Sequence, residues 1–364
     1  MMKNVSEFTN FKNFYEKLHS NIKAHYNKEI NDLYKRLNLK KKLKIFYSLM
    51  GVFIAIAVAL LITVIVLYKK EGFSFVIVFL ALAMFAFGGL AYLMFFFADK
   101  YKERFNITVA KMLNKRVIYK EAFALLDEQF SYDEEYPKQY RDTLNEVTVV
   151  ELKKLIRPIL FKLKADLETI GDEEKITLSP SHDAYFVNMD IKVEVQKNRN
   201  NSPMYKFLKT TLLKIDTKNL GDKGFAFAAA FENSKLIKEY NDLFKSFRLQ
   251  KVKLESDAFN KTFNAYTNDE LKLRMMYTPL AMENMVKLHQ NSKSVQKISN
   301  LVMISDGSAI YFVFTADMGF MEINWEKDYS NPDQLLRAII NDVALDIYNL
   351  YILISYAYIP YYLK

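Results

Sequence analysis

The sequence has no cysteine in 364 residues, which excludes disulfides, iron–sulfur clusters, thiolate zinc sites and cysteine nucleophiles. Histidine is nearly as scarce. His19, His25, His182 and His289 stand in no H-E-x-x-H or other tight metal-ligand spacing, and they read as surface or helix-face residues. Of nine glycines, only Gly171, Gly221, Gly224, Gly307 and Gly319 lie beyond residue 100. Neither G-x-G-x-x-G nor a Walker lysine loop occurs, so a phosphate cradle of glycine-rich backbone is not expected. The Gly-Asp-Lys-Gly of 221–224 has the outline of a backbone-clamping loop, but between two expected strands it reads as a turn. The expectation is of no cofactor and no metal.

Charge is missing from two long runs, 45–68 and 73–98, which contain no Asp, Glu, Lys, Arg or His. Each exceeds the roughly 20 residues a helix needs to cross a hydrocarbon core. Only Lys69, Lys70, Glu71 and Gly72 separate them, so the pair predicts a two-span transmembrane hairpin with both termini on one side. Lys35, Arg36, Lys40, Lys41, Lys42 and Lys44 precede the first span, and Lys100, Lys102, Arg104, Lys111, Lys115 and Arg116 follow the second. By the positive-inside bias the loop is external and both termini are cytoplasmic, which makes the chain a multi-pass protein of the cell membrane. Tyr47, Tyr68 and Tyr101 fall where interfacial aromatics are expected. The first run begins too late and is too long for the apolar region of a signal peptide.

The net charge is +9, and its distribution decides what it means. Residues 1–44 carry eleven Lys and Arg against four acids, whereas 99–364 carry 38 against 37. The region after the hairpin therefore has no electrostatic excess for a phosphate backbone, and nucleic acid is not an expected partner. Anionic lipid is a sufficient partner for the basic N-terminal arm, at about 1 kcal/mol per basic residue near the surface. The Lys-, Asn-, Tyr-, Phe- and Ile-rich composition reads as that of an AT-rich bacterial genome.

Residues 1–44 read as one amphipathic helix through Phe8, Phe11, Tyr15, Leu18, Ile22, Tyr26, Ile30, Leu33 and Leu37. A second helical pattern follows the hairpin over 102–130, and packing the two together gives a cytoplasmic stalk. The rival is an interfacial helix lying on lipid, which Glu7, Glu16, Glu29, Asp32 and the length disfavour. Within the first span Gly51, Ala55 and Ala59 form a small-xxx-small ridge. Gly88 and Gly89 of the second span could accept it, or a second copy of the chain could. Spans without ionisable groups argue against a stand-alone channel or transporter.

Residues 131–138 break the helical pattern, which resumes at 144–170 with an interruption at Pro158. A loop is expected at 171–174. Strands follow at 185–195, 211–215, 224–231 and 251–254 by alternation and turn signals, with a loop at 198–203. Asp257, Phe259 and Phe263 suggest a helical turn, Asn268 a cap for the helix carrying Leu271, Leu273 and Met276, and Thr278-Pro279 the start of another helix. Met282, Met285, Val286 and Leu288 then face a core. Strands 301–304, 310–314 and 320–323 form a meander around the turn 305–308, in which Asp306 and Gly307 supply turn geometry. The chain closes with a helix from Pro332, too short and too polar upstream for a third span. Its burial against the sheet is expected, and contact of Tyr356, Tyr358, Tyr361 and Tyr362 with the membrane is the alternative.

The stretch DAFNKTFNAYTNDELKLRMMYTPLAMENMVKL at 257–288, the GFMEI segment at 319–323 and the two close spans resemble an uncharacterised bacterial two-span membrane protein family, domain of unknown function 3137. The residues carrying the resemblance are Asp257, Phe259, Phe263, Asp269, Glu270, Arg274, Thr278 and Pro279. It implies a cytoplasmic mixed domain after the hairpin and no activity.

The expected fold is α+β. An amphipathic basic helix at 1–44 leads to the hairpin at 45–98, a helical stalk at 99–170, and a cytoplasmic domain of mixed antiparallel sheet and helices at 171–364. Asp257, Asp269, Glu270 and Arg274 are the polar cluster to inspect for a site, with a solvated helix face carrying an internal ion pair as the plainer account. The expected function is a membrane-anchored interaction module, an accessory or scaffold subunit with a protein partner. The alternative is a membrane-tethered enzyme acting on a lipid or small metabolite, which a deep pocket with convergent carboxylates would favour. An exposed apolar patch without such a pocket favours binding.

Overall fold

The computed structural model describes residues 11–113, 115–126, 130–132, 154–158, 160–161, 163–179, 182–197, 203–217, 225–231, 240–292, 298–316, 319–323 and 331–362. The chain is mixed α+β, with apolar helices in its N-terminal region and an antiparallel sheet in its C-terminal region. It divides into two compact units. One comprises 21–114 with 324–339, and the other 1–20, 115–323 and 340–364.

In the first unit, α1 (Phe11–Leu37) is separated from α2 (Leu39–Glu71) by Asn38 in the left-handed region, φ 47°. Asparagine is one of the few side chains that enters that region at low cost. One residue thus ends the single helix that the spacing over 1–44 predicts, because apolar periodicity does not register so short a break. α3 (Phe75–Met112) runs antiparallel to α2, with Phe46 facing Tyr101 at 6.3 Å and Phe53 facing Phe87 at 6.2 Å between ring centroids. Ile22, Tyr26, Ile30 and Leu33 of α1 are buried, and Tyr34 sets its ring edge-on to Phe105 of α3 at 4.8 Å. Tyr34 thus docks α1 on α3, and each fully buried side chain of α1 contributes about 1.5–3 kcal/mol. The segments Lys41–Lys70 and Phe75–Val109 are long and apolar enough to cross a membrane.

The helical pattern expected over 102–130 is interrupted at the end of the first unit. Leu113 is extended, and α4 (Lys115–Leu126) follows. The helix expected over 144–170 reaches only residue 163. Lys164, at φ 48°, turns the chain into strand, and β2 occupies Ala165–Ser179. The polar run at 171–174 is thus a bulge inside β2 instead of a loop, where the register to the next strand shifts between Ile170 and Glu173. Gly171 is needed there because a Cβ would stand 3.0 Å from the Asn188 carbonyl oxygen.

The sheet is antiparallel throughout. Its strands are β1 (Ser131–Tyr132), β2, β3 (His182–Lys197), β4 (Pro203–Asp216), β5 (Phe227–Phe231), β6 (Gln250–Val252), β7 (Phe263–Thr267), β8 (Ile298–Ser305) and β9 (Ala309–Ala316). Among the described residues they lie in the order β1-β2-β3-β4-β9-β8-β5-β7-β6. The β8–β9 hairpin closes as expected, with Asp306 Oδ1 accepting from the backbone of Ser308 and Ala309 at 2.9 and 3.0 Å. The third strand of the expected meander does not form. β9 pairs on its other side with β4, and 320–323 is a turn and an extended end. The expected loop residues 198–202, the glycine loop 221–224, Tyr362's side chain and most of 131–153 fall outside the described residues.

Both faces of the sheet are covered, which is why β9 reads as a continuous apolar run. One face carries Val187, Met189, Ile191, Leu212, Val302, Ile304, Tyr311 and Val313. It is capped by Leu155, Ile156 and the aromatic side of α5 (Asn241–Ser246), with Tyr240 and Phe244. The opposite face carries Phe227, Phe263, Met303 and Phe312. Against it lie α8 (Pro279–Ser292) and the second half of α9 (Pro332–Tyr362), where Tyr356 meets Phe263 at 5.7 Å. α9 has the length and composition of a membrane span, contrary to the expectation of too short a segment, yet 78% of its most apolar window is buried.

Candidate functional site

The motif at 257–288 resolves into capped short helices. Ser256 accepts from the Phe259 amide at 3.2 Å and starts α6 (Asp257–Thr262). Asp269 accepts from the Lys272 amide at 3.1 Å and starts α7 (Glu270–Met276). Asn268, the expected cap, instead accepts from the Ala226 amide at 3.0 Å and ties the end of β7 to the chain entering β5. Thr278 accepts from the Ala281 amide at 3.2 Å with Pro279 as the first residue of α8, as the Thr-Pro pair predicts. Phe259 is fully buried between Phe263 at 5.0 Å and Tyr277 at 5.5 Å.

Of the four polar candidates, the structure brings Arg274 and Glu270 together and gives Asp257 and Asp269 other partners. Arg274 donates through Nε and Nη2 to Glu270 at 3.0 and 2.6 Å, through Nη1 to Glu255 at 2.5 Å, and through Nη2 to the Lys253 carbonyl at 3.0 Å. Asp257 pairs with Lys253 at 3.6 Å in solvent, and Asp269 is spent on its cap. The hydrogen bonds Arg274 donates to Glu270 and Glu255 raise its pKa further. Its own backbone amide, then Arg274, hold the Glu255 carboxyl below its ordinary value. Glu255 is the member that sequence reasoning missed, because it approaches Arg274 only once β6 and α7 are side by side. An arginine with four of its five N–H groups given to two carboxylates and a carbonyl is a brace.

A half-buried polar knot lies on β3 and β4. The Asn188 amide donates to the Phe320 carbonyl at 2.7 Å and to Glu322 at 3.2 Å, while its oxygen accepts from Thr211 at 2.7 Å and from the Phe320 amide at 3.2 Å. Lys209 pairs with Glu322 at 3.0 Å. Gly319, at φ 92°, lets the chain turn so that Phe320 drops edge-on between Phe186 at 5.3 Å and Phe314 at 5.4 Å. The GFMEI segment is therefore a plug in the sheet face. No sequence signal linked Asn188 to it across more than a hundred residues.

Tyr119 of α4 donates to Asp346 of α9 at 2.6 Å, and both are buried. Burial, then the Asp346 charge, push the Tyr119 phenol well above its ordinary pKa. Among the described residues, no three His, Asp or Glu side chains group as metal ligands. The space bounded by Phe263, Met285, Phe312 and Tyr356 measures about 10 Å³, room for about one water.

Exposed apolar side chains occur in both units, in the second at Phe161, on β4 at Met204, Tyr205 and Phe207, and on the short helices of the 257–288 motif. Leu271 and Met275, one turn apart on α7, are 69% and 66% exposed, and Leu280 on α8 is 53% exposed. In the helical unit, Gly51, Ala55 and Ala59 are exposed, and nothing lies within 4 Å of a Cβ placed on Gly51, Gly88 or Gly89. The small-residue ridge of α2 thus points away from α3, and the buried alanines of α3 are Ala91 and Ala98.

Fold and surface together define a capped α+β domain joined to a pair of apolar helices, without a recognisable catalytic constellation among the described residues. Residues 210–349 match the family model described as Protein of unknown function (DUF3137), the family that 257–288 resembles. The match identifies a domain of unknown function that runs from the middle of β4 into α9 and covers less than half of the chain. No curated protein and no solved structure matches the chain.

Proposed function

We propose that the chain is a membrane-anchored interaction module. α2 and α3 cross the bilayer as a hairpin, their flanks and the α+β domain lie in the cytoplasm, and the domain presents a surface to a protein partner. The charge asymmetry about the two apolar segments supports this topology, as does the burial of most of α9. The observation that carries the binding reading is the exposed triad Leu271, Met275 and Leu280, which sits on helices held by side-chain caps and the Arg274 brace. Large apolar side chains on so rigid a mount lose little entropy on docking, and water is released when they are covered.

The test is purification of the full chain in lipid nanodiscs, with mass spectrometry of what stays bound, for wild type and a Leu271→Glu/Met275→Glu variant. A stoichiometric protein retained by wild type and lost from the folded variant supports the module. A monodisperse wild type carrying only a small metabolite overturns it in favour of the enzyme reading. Partner retention unchanged by the variant removes the triad from the interface.

A further inference from the structure

We propose that one end of the sheet, formed by the β3–β4 hairpin and the residues leading into β2, is a second membrane contact that docks on a bilayer surface rich in anionic lipid. This rests on the membrane placement proposed above. The balance of 38 basic residues against 37 acids over 99–364 hides a segregation. Residues 154–164 and 192–207 together carry eight Lys and Arg against Glu194 alone, and antiparallel pairing brings both stretches to the same end. Ala165, Val193 and Lys206 stand in one row across β2, β3 and β4, and Lys164 lies one residue outside that row. Lys154, Arg157, Lys164 and Lys206 are exposed. The opposite ends of these strands and the β8–β9 turn carry Asp183, Asp216 and Asp306 against Lys175 and Lys214.

The same end is apolar where it protrudes. β4 runs through 203–209 before Thr210 makes its first pair with β9, a reach of about 23 Å at 3.3 Å per residue. Past the row of Ala165 the hairpin is two-stranded. Met204 and Tyr205 are each 49% exposed there and Phe207 53%, while Phe161, at the entry to β2, is 83% exposed. Met204 shares the face of Leu208 and Leu212, whereas Tyr205 and Phe207 share that of Thr211. A partner lying on one face of the strand leaves the other uncovered, but a fluid interface into which the tip dips covers both. A nucleic-acid groove stacks bases on one face, which side chains on opposite faces do not provide. Aromatic rings beside lysines suit the headgroup level, where the ring is buried and the ammonium reaches phosphate. Lys192 is held 4.5 Å over Tyr205 and pairs with Glu168 at 3.5 Å. The attraction therefore falls to Lys164 and Lys206, neither of which has an ion pair among the described residues. α7, with Leu271 and Met275, begins at the opposite end of the sheet, since Thr267 lines up through Phe227 with Ser305. A domain docked in this way turns the start of α7 toward the cytoplasm.

Because the chain has no cysteine, the experiment places one environment-sensitive dye at Met204→Cys in the full chain in nanodiscs. With equal phosphatidylcholine and phosphatidylglycerol, its emission is expected to move to the blue and to be quenched by lipid carrying a nitroxide on the headgroup. In phosphatidylcholine alone, or on raising salt from about 0.1 M to about 0.5 M, both effects fade as the attraction is lost or screened. Lys164→Gln/Lys206→Gln lowers the docked-to-undocked ratio roughly thirtyfold for two charges removed, while Lys164→Arg/Lys206→Arg keeps it. A dye at Leu271→Cys stays unquenched. Quenching at Met204→Cys that is absent, or equal with and without phosphatidylglycerol, overturns the proposal, as does a glutamine variant indistinguishable from its parent. A response to single-stranded RNA with none to phosphatidylglycerol gives this end to nucleic acid and overturns it too. Phe85→Cys, exposed at the middle of α3, separates the two readings through a nitroxide on the acyl chain. Quenching there without quenching at Met204→Cys overturns the docking alone, and quenching at neither overturns the membrane placement with it.

Discussion

Phe320→Ala should be among the most damaging single substitutions in the α+β domain, although Phe320 lies in a short irregular segment. The ring is 0% exposed and meets Phe186 and Phe314 edge-on. Truncating a buried phenylalanine costs about 3–5 kcal/mol, transfer and cavity included. The site cannot collapse easily, since both neighbouring rings stand on strands paired on either side. With a urea m value of roughly 1–3 kcal/mol/M, the unfolding midpoint should fall by about 1–5 M. Pulse proteolysis in urea of the full chain in nanodiscs reads that shift. Asn188→Ala strips the partners from the amide and carbonyl of Phe320, at about 1–3 kcal/mol for each buried group left unsatisfied. Because the two residues hold the same plug, the double variant should lose less than the sum of the singles. A Phe320→Ala midpoint within about 0.3 M of wild type, or strict additivity with Asn188→Ala, would refute the plug.

The remaining predictions concern charge. Arg274→Gln should cost less than about 1 kcal/mol, because the brace is solvent-exposed, and partner retention in nanodiscs should persist. Glu255 has a folded pKa below its ordinary 4.5, so its contribution is present above that value and lost as pH falls through the folded one. The stability difference between wild type and Arg274→Gln should therefore shrink on going from pH 6 to pH 3, and a gap independent of pH would sink the argument. Tyr119 has the opposite sense. Its folded pKa lies above the ordinary 10.0, so the neutral phenol stabilises the fold fully below pH 10 and less as pH rises beyond it. Ultraviolet titration should show wild type and Tyr119→Phe ionising the same number of tyrosines ahead of unfolding, and one more in wild type would place Tyr119 in contact with water.

How much was legible from residues alone follows from how local each signal is. The apolar segments of α2 and α3 were visible because a run of more than 20 uncharged residues needs no tertiary information to interpret. The alternation of β3, the Asp306-Gly307 turn and the Thr278-Pro279 helix start are local chemistry too, and each appears where the sequence puts it. Of the polar cluster, Arg274 and Glu270 do meet, one helical turn apart. The helix expected through residue 170 failed for the converse reason. Charged residues at 171–174 look like a solvated loop until β3 pairs alongside and absorbs them as a bulge.

The sequence by itself determined the α+β class, the two apolar helices, the exclusion of thiol chemistry and most helix starts, because composition, run length and capping act within a few residues. The tertiary structure alone decided the order of the strands, the docking of Phe320 beneath Asn188, the recruitment of Glu255 by Arg274 and the burial of Tyr119 with Asp346. Those contacts join residues up to 227 positions apart. No local periodicity encodes such pairings, since they are chosen by which faces remain uncovered once the sheet has formed.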